Sequence, residues 1–224
     1  MTELWLVRHG QTEYNVQDRV QGMANSALTP AGRAGAAALG RGFKQAGVTF
    51  DAAFSSDLAR AQDTAQLALA AAGQASLPLT LDAGLREENY GKYEGQLTND
   101  FAQSLFGLPD FKAALLAHEL NLAQIADATY AANADQTPNR AEDNGMVQRR
   151  FDAALRTLTV GQTGRLLVVT HGTVTLMWLN YIGFDTRGQE MLHNTSVTRV
   201  AYADGIFTVH DFDDDTYLTL GKEA

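Results

Sequence analysis

Residues 4–10 read LWLVRHG and residues 166–172 read LLVVTHG, so each stretch is an apolar run that ends in a polar residue, a histidine and a glycine. Short Leu/Val-rich runs of this kind are typical of buried strands in a parallel sheet. Ligands of such sheets bind at the carboxyl ends of the strands. We therefore expect His9 and His171 to meet at one edge of the sheet, with Arg8 beside them, in a site that binds and attacks an anion.

Strand-like and helix-like segments alternate outward from these two stretches. Strands are predicted at residues 4–7, 50–54, 77–81 and 166–169, and helices at about 30–46, 58–71, 147–158 and 174–182. Thr29 is the expected N-cap of the first helix, and Ser55-Ser56-Asp57 offers caps for the second. Asp204-Gly205 lies between two further strand-like runs and signals a hairpin. This pattern predicts an α/β three-layer sandwich whose mostly parallel central sheet has an antiparallel edge strand.

One segment interrupts the alternation. Residues 98–140 are Ala-rich and helix-prone but are broken at Gly107, Pro109 and Pro138. We interpret residues 1–224 as a single domain in which this segment is a helical cap inserted over the strand ends. Four of its apolar side chains either line the pocket or pack the cap onto the sheet, and packing is favoured; they are Leu105, Phe106, Leu108 and Phe111.

The composition limits the classes of function. The chain has 224 residues and a formal net charge of −9, with 26 acidic and 17 basic side chains and no cysteine. Without a Lys/Arg cluster that could displace counterions, no nucleic-acid partner is expected. The absence of cysteine excludes disulfide and thiolate chemistry. Neither a signal-peptide pattern nor an apolar stretch of membrane-spanning length is seen, so we expect a cytoplasmic protein with no membrane partner.

Three cationic or titratable side chains are candidates for the anion site. The Arg8 guanidinium matches phosphate or carboxylate oxygens in a bidentate manner, and a neutral His9 imidazole is a competent nucleophile near pH 7. Arg60 lies in the first turn of the second helix, where its side chain leans back toward the edge of the sheet. An exposed Arg60 that pairs with Asp57 or Asp63 is the alternative.

Two adjacent acids, Glu87 and Glu88, follow the third strand. A carboxyl group near a bound anion acts as a proton donor if its pKa is raised, but a solvated acidic loop gives the same pattern. The three other histidines are His118, His193 and His210, and we assign them structural roles. This assignment is weakest for His193, which Asn194 and Ser196 follow. Their spacing does not resemble a metal site.

The ordered set of motifs resembles the histidine phosphatase superfamily, which includes cofactor-dependent phosphoglycerate mutase. The matching segments span nearly the whole chain; they are residues 8–15 (RHGQTEYN), 21–22 (QG), 28–32 (LTPAG), 55–61 (SSDLARA), 64–65 (TA), 85–87 (LRE), 90–91 (YG), 93–95 (YEG), 170–172 (THG) and 194–196 (NTS). The chain departs from the family pattern at Asn25 and Ala27, and at Ala141-Glu142-Asp143, where the family usually has Gly-Glu-Ser. These departures weaken any transfer of substrate specificity.

The resemblance implies a role for each candidate. His9 would attack phosphorus and become phosphohistidine, while Arg8, Arg60 and His171 would hold the phosphoryl oxygens. Glu87 would protonate the leaving oxygen and then activate water. Further substrate contacts are implied for three polar-loop residues, which are Asn15, Gln21 and Gly22. No metal or organic cofactor is implied for a phosphatase of this group.

Three functions are compatible with these residues. The leading hypothesis is a phosphomonoesterase that hydrolyses small soluble phosphate esters. The second is a phosphoglycerate mutase, disfavoured because the family's mutases commonly have Ser and Trp at the positions of Thr12 and Tyr14 and because the cap has few cations. The third is a non-catalytic anion-binding protein on the same fold. The sequence leaves open whether the final hairpin pairs with a second copy in a homodimer or faces water.

Overall fold

A computed structural model describes residues 2–223 and contains a six-stranded sheet. Its strands are β1 (Thr2–Arg8), β2 (Ala52–Ser55), β3 (Leu79–Leu81), β4 (Gly164–Thr170), β5 (Val197–Ala203) and β6 (Ile206–Asp214). The strand order is β3-β2-β4-β1-β5-β6. The first four strands are parallel, and β5 and β6 are antiparallel to their neighbours. The predicted α/β fold with a mostly parallel sheet and an antiparallel edge is confirmed.

The helices cover both faces of the sheet. They are α1 (Glu13–Val16), α2 (Pro30–Gln45), α3 (Ala59–Ala71), α4 (Thr98–Phe106), α5 (Phe111–Leu116), α6 (Leu122–Ala132), α7 (Asn144–Thr159), α8 (Gly172–Tyr181) and α9 (Thr216–Lys222), with two 3-10 turns at Ala83–Leu85 and Gly91–Tyr93. Because side chains alternate along a strand, Trp5 and Val7 of β1 pack with α2, α3 and Tyr217, whereas Leu4 and Leu6 pack with α7, α8 and the apolar side of α4–α6.

The two strands that precede the His-Gly stretches lie next to each other at the centre of the sheet. Strands β1 and β4 are paired in parallel, with Arg8 opposite Thr170. All four central residues of each apolar run are buried, as expected for strands covered on both faces. The two chain segments therefore leave the sheet side by side at the same edge.

Several predicted boundaries shift by a few residues. Strand β2 begins two residues later than expected and ends at Ser55, and β3 is shortened to residues 79–81. The expected caps of α3 are wrong: its N-cap is Leu58, with no side-chain cap. Asp57 instead binds the Arg86 guanidinium, and Ser56 Oγ contacts the imidazole of His171 and accepts the N–H of Leu58, one position before the helix.

Helices α1 and α9 have no counterpart among the predicted elements. Helix α1 is a single turn closed by a capping box of Thr12 and Asn15. Helix α9 packs directly on α2, where a Cβ added to Gly42 would lie 1.8 Å from the carbonyl oxygen of Tyr217. The close approach of these two helices thus requires glycine in α2.

The segment predicted as a helical cap forms α4, α5 and α6. Helix α4 ends at Gly107, which adopts a left-handed conformation, and α5 begins after Pro109. A further break after α5, where His118 has φ 55°, was not predicted. Between residues 2 and 223, none of the helices is both long and apolar enough to cross a membrane.

Candidate active site

A cleft with a cavity volume of about 160 Å³, partly open to solvent, lies at the carboxyl ends of β1 and β4. One end is polar and is lined by Arg8, His9, Asn15, Gln21, Glu87 and Thr173. The other end is apolar and is lined mainly by Phe101, Phe111, Leu115, Leu122 and Ile125 from α4–α6. Five of the sequence-predicted site residues line this cleft: Arg8, His9, Asn15, Gln21 and Glu87. Arg60 and His171 are not among its lining residues, although the His171 ring lies next to that of His9. The four apolar cap side chains Leu105, Phe106, Leu108 and Phe111 pack against the core, as the sequence favours, and Phe111 also lines the cleft.

His9 follows β1 and is almost fully buried. Its Nδ1 lies 2.8 Å from the carbonyl oxygen of Gly10, which can only accept a hydrogen bond, so Nδ1 carries the proton. The lone pair is therefore on Nε2. Burial, followed by the charges of Arg60 and Arg8, lowers the pKa of His9 well below its usual value. The imidazole is neutral, which is the form that a nucleophile needs.

His171 occupies the equivalent position after β4 and is fully buried. The ring centroids of His9 and His171 are 5.2 Å apart. The Nε2 atom of His171 lies 2.8 Å from Ser56 Oγ, while its buried Nδ1 has no hydrogen-bond partner. Burial and the charge of Arg60 also lower the pKa of His171 well below its usual value.

Two guanidinium groups flank the imidazoles, that of the partly buried Arg8 and that of the buried Arg60. Arg8 donates through Nη1 to the carbonyl oxygen of Leu192. Arg60 is 1% exposed and donates to the carbonyl oxygens of Gly22 and Ala24, at 2.7 and 3.0 Å. Burial lowers the pKa of Arg60 to about 10, so it remains a cation near neutral pH. The alternative of an exposed, ion-paired Arg60 is excluded.

Three buried nitrogen atoms in this region lack a hydrogen-bond partner. They are Arg8 Nε, Arg60 Nε and His171 Nδ1. Buried donors without partners are rare and destabilising, and an oxyanion between them would supply the missing acceptors. The polar end of the cleft therefore has the chemistry of an anion site.

Glu87 is held at the start of α8. Its carboxylate accepts hydrogen bonds from the main-chain N–H groups of Thr173, Val174 and Glu88, at 3.0, 2.6 and 3.1 Å. Burial raises the pKa of Glu87, although these hydrogen bonds and Arg60 act in the opposite direction. A carboxyl group with a raised pKa, in the same cleft as His9, is suited to general acid–base catalysis.

Glu88 is also buried, so the solvated-loop interpretation of this acidic pair is wrong. Neither carboxyl oxygen of Glu88 has a hydrogen-bond partner. Burial and the neighbouring charge of Glu87 raise the pKa of Glu88 well above its usual value. Burial beside other acids thus disfavours the ionised form of this side chain.

A family comparison agrees with this geometry. A model of the histidine phosphatase superfamily (branch 1) matches residues 4–114 and 117–215. The chain belongs to this superfamily. Members of the superfamily transfer phosphoryl groups through a phosphohistidine.

Proteins similar to this chain carry both mutase and phosphatase names. A 2,3-bisphosphoglycerate-dependent phosphoglycerate mutase of Methylocella silvestris is 46% identical over 100 residues, or 45% of this chain and 48% of the relative. The matched stretch is thus about half the length of the curated relatives. A phosphoglycerate mutase structure from Bacillus anthracis superposes with a TM-score of 0.87 at 31% identity, over 99% of this chain and 96% of the other. A mycobacterial glucosyl-3-phosphoglycerate phosphatase complexed with VO3 shares the fold (TM-score 0.72, 22% identity, 95% and 98% coverage).

The three residues for which the resemblance implies further substrate contacts occupy different places. Asn15 and Gln21 line the cleft, and both are fixed by hydrogen bonds with Thr12. Gly22 lies behind the cleft, where its carbonyl oxygen binds Arg60 and its N–H group donates to Glu94. A direct contact of Gly22 with substrate stays a prediction.

Sequence reasoning missed the residues that support the site from behind. In the sequence Glu94 stands out only as part of the YEG motif, and no pattern marks Arg150. The Arg150 guanidinium binds the carbonyl oxygens of Gly84, Arg86 and Glu87 and the carboxylate of Glu142, so it holds the loop that carries Glu87. Glu142 was noted only as a departure from the family pattern.

The three remaining histidines lie outside the cleft lining. His193 is exposed and binds Asp213 at 2.7 Å. Within residues 2–223, no group of three or more His, Asp or Glu side chains is arranged to hold a metal ion.

Proposed function

We propose that this histidine phosphatase is a phosphomonoesterase that acts through a phosphohistidine at Nε2 of His9. The observation that carries the proposal is the division of the cleft. Unpartnered nitrogens of Arg8, Arg60 and His171 lie in the region of His9, which suits a single phosphoryl group, and the wall contributed by α4–α6 is mainly apolar. Such a wall suits the organic part of a small phosphate ester and offers little to a second anionic group.

In the first step, the His9 Nε2 lone pair attacks phosphorus and the P–O bond to the alcohol breaks. Arg8 and Arg60 stabilise the charge on the equatorial oxygens. The Ser56 hydroxyl donates to Nε2 of His171, so that Nδ1 carries a proton for the same oxygens. Glu87 donates its proton to the leaving oxygen, and the alcohol departs.

In the second step, the ionised Glu87 takes a proton from water. The oxygen of that water attacks the phosphorus of the phosphohistidine, and the N–P bond breaks. Inorganic phosphate leaves, His9 regains its lone pair and Glu87 its proton. No other group has to gain or lose a proton over the whole cycle.

Phosphoglycerate mutase is the second candidate function, supported by the names of the relatives. A mutase must hold a carboxylate or a second phosphate at the far end of its substrate. Apart from Arg8, the cation among the cleft-lining residues is Arg19, and its Nε and Nη1 atoms already donate to Gln17 and Gly95. This arrangement favours hydrolysis over isomerisation.

Two assays on the purified protein separate the candidates. Release of inorganic phosphate is measured with phenyl phosphate and with alkyl phosphates, and isomerisation is measured with 3-phosphoglycerate and a 2,3-bisphosphoglycerate primer. We expect phosphate release that is abolished by His9→Ala. Efficient isomerisation without net phosphate release would overturn the proposal, and the absence of both reactions would favour the non-catalytic, anion-binding alternative.

A further inference from the structure

The apolar end of the cleft is made by one side of α4–α6. Phe101, Leu115, Leu122 and Ile125 are nearly fully buried, and Phe111 is half-buried. The rings of Phe101 and Phe111 meet edge to face at 6.0 Å between centroids. This wall is continuous with the polar end that contains His9. A phosphate ester held at His9 therefore places its organic group against these side chains.

One carboxylate interrupts this wall. Glu190 lines the cleft, is half-buried, and faces the main-chain N–H of Leu122 at the start of α6. Its charge repels an anionic group on the substrate and attracts a donor or cationic group. Glu190 thus adds an electrostatic preference to the apolar one.

Resting on the phosphomonoesterase function, we propose that the substrates are monophosphates of apolar alcohols without a second anionic group. The wall containing Phe111 binds the organic part, and Glu190 rejects carboxylates and additional phosphates. A hydroxyl or amino group on the alcohol faces Glu190.

The apolar half of the proposal is tested with a series of n-alkyl phosphates from methyl to hexyl. Burial of each methylene in the cleft raises kcat/KM by about two- to fourfold. Phe111→Ala flattens this rise, so that kcat/KM falls more for hexyl phosphate than for methyl phosphate. Leu116→Ala is the matched control, because Leu116 lies on the same helix but is 73% exposed. A wild-type series without length dependence overturns the proposed substrate class, while the phosphatase function stands if phosphate is released.

The electrostatic half is tested by Glu190→Gln. We expect the ratio of kcat/KM for 3-phosphoglycerate to that for butyl phosphate to rise about tenfold, as for removal of one repulsive charge in a partly buried site. Glu119→Gln, on an exposed cap residue outside the cleft lining, is the control and leaves the ratio unchanged. An unchanged ratio in Glu190→Gln overturns the role of Glu190. If neither ester releases phosphate, the phosphomonoesterase function itself fails.

A separate observation concerns Glu94, which lies outside the lining of the catalytic cleft. Its carboxylate accepts the main-chain N–H groups of Gly22, Met23, Ala24 and Tyr90, at 2.8–3.1 Å. The carbonyl oxygens of the same loop accept the two Arg60 donors. A Cβ on Gly22 would lie 1.9 Å from the Glu88 carbonyl oxygen and 2.5 Å from Glu94 Oε1. The loop is therefore tightly packed at this position and has no room for a side chain.

We infer that Glu94 is a positioning residue that orients Arg60 through the backbone of residues 22–24. In Glu94→Gln, one amide NH2 group replaces an oxygen and faces main-chain N–H groups, so the loop and the Arg60 guanidinium shift. We expect kcat to fall about tenfold or more, as for loss of a charged hydrogen bond. Inhibition by vanadate, which mimics the transition state, weakens to the same extent, whereas inhibition by phosphate changes less.

The decisive measurement is a double-mutant cycle. In an Arg60→Ala background, Glu94→Gln lowers kcat by less than about threefold, because there is no guanidinium left to orient. Asp185→Asn is the control, since Asp185 holds only the main-chain N–H of Arg187 in an exposed loop. Additive losses in the cycle, or a lowered melting temperature with unchanged vanadate inhibition, would reduce Glu94 to a purely structural residue.

Discussion

Glu87→Gln separates the proton-donating role of this side chain from its shape. In the wild type, Oε1 accepts the N–H groups of Val174 and Glu88, and Oε2 accepts that of Thr173. The carboxamide oxygen replaces Oε1, and the NH2 group then faces the Thr173 N–H. One buried donor loses its acceptor, which destabilises the fold by about 1–3 kcal/mol. A domain of ordinary stability remains folded after this loss.

The effect of Glu87→Gln on activity depends on the leaving group. A positioned general acid contributes about 10²- to 10⁴-fold when the leaving oxygen must be protonated. We therefore expect kcat/KM for butyl phosphate to fall by that factor. For p-nitrophenyl phosphate, whose phenolate leaves without a proton, the fall is less than about tenfold.

Phosphate release at several pH values measures both effects. Because burial raises the pKa of Glu87, the wild type hydrolyses butyl phosphate less well as pH rises through that pKa and the acid ionises. Glu87→Gln lacks this alkaline decrease. Equal losses for the two esters, or an unchanged alkaline decrease in the variant, would refute the assignment of Glu87 as the acid.

Two further predictions concern the imidazoles. His9→Ala abolishes formation of an acid-labile, alkali-stable phosphoenzyme and leaves the circular dichroism spectrum unchanged; labelling of the variant at the wild-type level would show that another residue is the nucleophile. His171→Gln reduces the pH dependence of stability. In the wild type the pKa of His171 is lowered in the folded state, so the unfolded chain binds more protons below that residue's ordinary pKa. The free energy of unfolding of the wild type therefore falls by up to about 1.4 kcal/mol per pH unit from this group as pH falls below about 6.5. The free energy of unfolding is measured with denaturant at pH 7 and pH 5.5. An equal change of this free energy with pH in the two proteins would contradict the prediction.

The fold could be predicted because its strongest signals are local. Apolar runs of strand length, a Thr29-Pro30 helix start and the Asp204-Gly205 turn each specify their own element, and the structure contains all of them. The prediction failed where side chains have long-range partners. The sequence around Ser56 and Asp57 suggests helix caps, yet these groups bind His171 and Arg86 instead.

The same distinction applies to the site. The residues after β1 and β4 could be placed together because parallel strands end at the same edge of a sheet. The supporting contacts of Glu94 and Arg150 are made mainly with carbonyl and N–H groups of distant loops. Any residue supplies such main-chain groups, so no side-chain pattern in the sequence indicates them. The burial of Glu88 likewise depends on tertiary packing rather than on its neighbours in the chain.

The pairing of β1 with β4 has a consequence for how this protein family can diversify. Neighbouring strands are about 4.7–4.9 Å apart, and the His9 and His171 rings, which extend from the two strand ends, are 5.2 Å apart. The distance between the two imidazoles is thus set mainly by the spacing of the hydrogen-bonded strands and not by the choice of side chains. Exchange of the α4–α6 segment can therefore change which ester binds while the distance between the two imidazoles stays constant.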